Sequence, residues 1–111
     1  MKKAVIFILL FLLSVPHTAA QTTLYVDSDA TAGANDGTSW TNAYTEWADA
    51  LKWSREQWYA GTASWDAGNP LNIWVASGTY QPRYDAAEGE YTSDGGRDNA
   101  FVLVEFVNVY G

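Results

Sequence analysis

The spacing of apolar and polar positions changes along this chain, and each change predicts a different element. Residues 4–15 form an apolar run broken only by Ser14, preceded by Lys2 and Lys3 and followed by Pro16 and Thr18-Ala19-Ala20. Crossing a bilayer takes about 20 apolar residues. This run is shorter, and its basic start and small-residue end read as a secretory signal peptide over residues 1–20, cleaved after Ala20 or Ala19. Residues 21–111 are then expected to work outside the cytoplasm, with no transmembrane segment left after cleavage.

Beyond the leader the period shortens to two. Residues 22–27 alternate, with Leu24 and Val26 on one side and Thr23, Tyr25 and Asp27 on the other, which predicts a strand. Residues 71–76 repeat the pattern, with Ile73 and Val75 opposed to Trp74, and residues 101–104 and 107–110 predict two further β segments. Between the first two strands, residues 40–60 carry helical spacing. Ala43, Trp47, Ala50, Leu51 and Ser54 fall on one face, while Glu46, Asp49, Lys52 and Glu56 fall largely on the other. Ser39, Thr41 or Asn42 is placed to cap the start and Gly61 to end it. Residues 28–39, 62–70 and 85–99 have loop composition, with Asn35-Asp36-Gly37 a tight turn. A long segment between two strands suits a parallel crossover, which antiparallel pairing would not need.

Charge narrows the partners. The chain without its leader has four basic residues, Lys52, Arg55, Arg83 and Arg97, against 13 acids, a net charge of −9. Such a field disfavours nucleic acid and anionic membrane surfaces. The absence of cysteine removes disulfides, thiolate metal sites and a lipidated cysteine. Six Trp and seven Tyr are a high aromatic load, suited either to a core or to stacking on sugar rings.

Three stretches, read in order, resemble the N-terminal region of secreted right-handed parallel β-helix (pectate-lyase-like) surface proteins of Gram-negative bacteria. They are Leu24-Tyr25-Val26-Asp27; Asn35-Asp36-Gly37-Thr38-Ser39-Trp40-Thr41-Asn42-Ala43-Tyr44 leading to Ala50-Leu51; and Ile73-Trp74-Val75-Ala76-Ser77-Gly78-Thr79-Tyr80. The tail, Arg97 to Leu103 and then Val107 to Gly111, is similar to that family's next coil. The resemblance implies a mainly β fold: the first coils of a parallel β-helix, capped by an N-terminal α-helix, in a solenoid continuing beyond residue 111. Glu105-Phe106 departs from the Asn- or Gly-bearing corner usual there. A small α/β domain built from the same elements is the competing fold.

Candidate chemistry is sparse. His17 is the only histidine and belongs to the leader, which removes a histidine acid/base or metal ligand from the rest. Asp27, Asp29 and Asp36 invite a calcium site, but Ala32 and Thr38 stand where a calcium loop needs Gly and Glu, so loop capping is the expected role. Asp85, Glu88, Glu90 and Asp94 are the only paired-carboxylate candidates for glycoside hydrolysis, and they sit in a Gly-bearing loop. Arg83 and Arg97 are anion-clamp candidates whose default is loop anchoring. Trp40, Trp47 and Trp74 are expected to pack. Filling the core and its seams is the expected role of the aromatics as a set; Trp58, Trp65, Tyr80, Tyr84 and Tyr91, at a helix end or in loops, are the candidates if any stacks on sugar. The expected role is structural and interactive: the cap of an exported, adhesin-like surface protein meeting extracellular polysaccharide or a cell-surface partner, with no catalytic residue and no required cofactor here. A polysaccharide lyase or glycoside hydrolase with its catalytic residues downstream, and a stand-alone carbohydrate-binding domain, are the alternatives.

Overall fold

The computed structural model describes residues 22–87, 89–91 and 96–111. The expected signal peptide over residues 1–20, and Glu88 and Asp94 among the candidate carboxylates, lie outside the described residues. Strand β1 is Thr23–Val26, helix α1 Trp47–Tyr59, strand β2 Leu71–Val75 and strand β3 Val107–Tyr110. The strands form one parallel sheet in the order β1-β2-β3. Register sets Leu24 beside Ile73 and Ile73 beside Val109, while Leu71 meets Val107 and Val26 meets Val75. Alternation therefore gathers every aliphatic strand residue on one face, as the pattern predicts.

Helix α1 covers that face. Ala50, Leu51 and Trp65 join Leu24, Val26, Leu71 and Ile73 in one buried cluster, and each fully buried Leu, Ile or Val contributes about 1.5–3 kcal/mol. The helix ends as the sequence predicts. Gly61 takes φ +74, its N–H bonds Trp58 O, and Thr62 N–H bonds Gln57 O, the paired bonds of a Schellman stop.

Its start differs. The helix begins at Trp47 after Glu46, whose side chain makes no capping bond, so residues 40–46 lie outside the helix. Tyr44 is taken by the sheet: its N–H bonds Tyr25 O, and its carbonyl accepts from Asp27 N–H. Tyr25 N–H bonds Gly37 O. The 35–44 segment thus seals the outer edge of β1, and that pairing outweighs the local helical spacing. Ser39 and Asn42 hold this loop instead, Ser39 Oγ accepting from Asn42 N–H and Asn42 Oδ1 from Ala34 N–H.

The chain does not build the expected parallel β-helix with a capping helix. Its strands lie side by side in a single sheet that is not curled into coils. A coil needs further strands turned onto other faces, and residues 101–104, expected to supply one, form no strand. Phe101 instead stacks on Trp47 of α1, with ring centroids 4.3 Å apart, and Val104 packs on the core. Their apolar pattern is satisfied by side-chain packing without backbone pairing. Helix α1 lies on the sheet rather than across the end of a stack, and the architecture is α/β.

The Glu105-Phe106 corner leads into β3 under strain. Phe106 has φ +61, a left-handed conformation costing a non-glycine residue about 1–2 kcal/mol. Three contacts offset it. Phe106 O accepts from Leu71 N–H, its ring meets Trp58 edge-on, and Glu105 O accepts from Trp65 Nε1 at 3.1 Å.

Candidate functional site

The side of the sheet away from α1 has a different chemistry. Register aligns Tyr25, Trp74 and Tyr110 across the three strands, and Thr23, Asn72 and Asn108 in the neighbouring row. Trp40 packs on Tyr25 with centroids 4.8 Å apart, and Trp74 stacks on Tyr110 at 4.6 Å. The aromatic row therefore falls into two pairs, one over β1 and one over β2 and β3. Trp40, Trp74 and Tyr110 are 47%, 44% and 41% exposed. In the second row Asn108 Nδ2 donates to Asn72 Oδ1 at 3.3 Å. None of these seven side chains carries a charge.

Alternation already set Tyr25 and Trp74 on the sides opposite the aliphatic residues. The missing step was the pairing: only parallel register turns separate aromatics into one row, so Trp74 reads as a packing residue from its own strand alone.

The predicted sugar-stacking residues are distributed otherwise. Trp65 is 3% exposed, lying between Trp53 and Trp58, and Trp58 also meets Phe106. These two belong to an aromatic cluster under the start of β3. Tyr80 is tied down separately, its hydroxyl donating to Ala76 O at 2.8 Å and accepting from Ser28 N–H. Tyr84 and Tyr91 come together edge to face, 5.6 Å apart, beside α1, and Tyr91 is largely exposed. The Tyr84 hydroxyl donates to Asp49 Oδ1. Burial, then that bond to an acid, keeps this phenol protonated far above its ordinary range. Lys52 lies over the Tyr84 ring at 5.6 Å.

The charged candidates hold loops. Asp27 Oδ1 accepts from Asp29 N–H, and Asp36 Oδ1 accepts from both N–H and hydroxyl of Thr38, which hold its carboxyl below its usual range. Among the described residues no group of three or more His, Cys, Asp or Glu is placed to hold a metal ion. Asp85 Oδ1 accepts from Ala87 N–H, and Asp85 N–H bonds Glu90 O, so both acids are built into the turn. Arg83 faces Glu46 at 3.5 Å, and Arg97 is exposed. The cleft between α1 and this loop, lined by Leu51, Arg55, Tyr84 and Val102, has a volume of about 30 Å³ and adjoins a shallower groove along Lys52, Arg55, Glu56 and Tyr59 of about 310 Å³. No helix among the described residues is long and apolar enough to cross a membrane.

Comparison with protein-family models, with curated proteins and with solved structures finds no match to this chain.

Proposed function

We propose that this chain is exported and acts outside the cytoplasm as a surface interaction module, adhesin-like rather than catalytic, with the outer face of its sheet as the binding surface. The observation that carries this reading is the row of half-open aromatics, Trp40, Trp74 and Tyr110, beside a row of uncharged polar residues on one face of the sheet of an acidic chain. Exposed apolar area gathered on one face marks an interaction site more often than scattered single residues do. The basic start, apolar run and small-residue end of residues 1–20, and a motif order that resembles that of secreted Gram-negative surface proteins, support the compartment.

The test is to express the full chain in a Gram-negative host, weigh the product, and measure its retention on envelope preparations and insoluble extracellular polymers. The expected product starts at Gln21 or Ala20 and lies outside the cytoplasm. Wild type should be retained, and a Trp74→Ser/Tyr110→Ser double variant should wash off. An uncleaved cytoplasmic product, or equal retention of both proteins, would overturn the reading.

A further inference from the structure

We infer that the outer sheet face binds a neutral polysaccharide laid across the strands, its pyranose faces against the aromatic row and its hydroxyls against the amide row. The inference rests on the interaction role proposed above and adds the class of ligand.

Two observations select that chemistry. The first is the pairing of unlike rows. Trp40, Tyr25, Trp74 and Tyr110 form an apolar strip beside the parallel strip of Thr23, Asn72 and Asn108, one strand repeat of two residues away, about 6.6 Å. A sugar ring has the same division, with C–H groups on its face and hydroxyls on its rim. Amide side chains both donate and accept, so a polyhydroxylated rim satisfies the groups that the Asn108–Asn72 bond leaves over, whereas an apolar protein surface would bury those groups without partners, at about 1–3 kcal/mol each.

The second observation is charge. The two rows are uncharged, and they belong to a chain of net −9 without its leader. A uronate-rich or sulfated chain would approach against that field with no basic side chain in either row to meet it. A neutral glycan meets no such barrier.

The ring geometry sets where contact falls. Trp74 and Tyr110 cover one face of each other, while Tyr25 turns to Trp40. Trp74, the half-exposed middle member of the strand row, is then the central contact.

The experiment uses the secreted form recovered from the full chain, in affinity electrophoresis and Trp-fluorescence titration. The probes are hydroxyethylcellulose and galactomannan as neutral polymers and polygalacturonate as the acidic one. At least one neutral polymer is expected to retard the protein and shift its fluorescence, and polygalacturonate to do neither. Trp74→Ala should weaken binding at least tenfold and Asn72→Ala/Asn108→Ala several-fold. Tyr59→Ala, on an exposed position of α1, should leave it unchanged. If Trp74→Ala does not fold, Trp74→Phe replaces it, and binding must weaken while the melting temperature holds. No binding of either neutral polymer, tighter binding of polygalacturonate, or equal losses in the Trp74 and Tyr59 variants would overturn the inference. Envelope retention that depends on Trp74 without any neutral-glycan binding would leave the interaction role standing and remove only the ligand assigned here.

Discussion

The two faces of the three-stranded sheet share one backbone and one register, yet they carry opposite chemistry. Inward, Leu24, Leu71 and Ile73 are sealed under α1. Outward, one residue along each strand, Tyr25, Trp74 and Asn108 meet solvent to different degrees. The contrast teaches how folding and recognition are divided within a period of two: each odd or even position serves one task, and a one-residue slip would exchange them wholesale. It follows that inner substitutions should cost stability, and outer ones should cost binding.

The sharpest break of that division is Ile73→Ala, which empties a fully buried site between β1 and β3. It should destabilise the fold by about 2–5 kcal/mol, read as a lower denaturation midpoint at unchanged slope. A neutral result would mean that the inner face is not the core.

Gly37→Ala comes next. Gly37 has φ +75, and a Cβ there would meet the Tyr44 ring at 2.7 Å. The cost should be about 1–3 kcal/mol, because the turn that seals β1 must shift. Gly61→Ala sharpens the reading. It has the same positive φ but nothing within 4 Å of the added carbon, so about 1–2 kcal/mol from backbone conformation alone is expected. If Gly37→Ala costs no more than Gly61→Ala under the same denaturant titration, the Tyr44 contact does not matter.

Tyr44 also gives a pH signature. Burial, with Asp36 and Asp49 nearby, pushes its phenol up to about 12 from an ordinary 10.0. Below pH 10 the phenol keeps its proton in both states. Between 10 and 12 the unfolded chain ionises while the folded one does not, so stability should fall as pH rises through that window. Thermal melts across pH 9–12 should show the decline, and Tyr44→Phe should lessen it, the remainder coming from Tyr84, whose phenol is also held protonated above its ordinary range. An unchanged slope in the variant would assign the loss elsewhere.

The smallest expected effect is the outer one. Asn72→Ala/Asn108→Ala removes an exposed amide pair, and its stability cost should stay near 0.5 kcal/mol, as for most surface changes. A loss of several kcal/mol in a denaturant melt would show that the amide row holds the sheet together.

Much of the scaffold was readable because its signals are local. Alternation marked β1, β2 and β3, the helical stripe from Trp47 to Ser54 was correct, and Gly61 stops the helix for the reason its lack of Cβ suggests. What was not readable depended on partners distant in sequence. Residues 40–46 have helical spacing, but Tyr44 is held by Tyr25 and Asp27. Residues 101–104 have strand composition but spend it on Trp47 and the core. Tail motifs similar to a coil did not fix how strands stack, since local sequence cannot choose between a flat sheet and a turned one. The outer aromatic row failed to show for the same reason: Tyr25, Trp74 and Tyr110 become neighbours only through pairing.

The parallel pairing has a consequence for time as well as shape. Thr23 must find Asn72 and Leu71 must find Val107, separations of 49 and 36 residues, and no hairpin brings either pair together early. Chains dominated by such distant contacts collect their native order slowly. A newly made polypeptide of this kind stays loose for longer after synthesis, which is the condition that threading through a narrow export channel demands. Such delayed assembly would suit the export proposed above, since a chain must be unfolded to pass a narrow channel.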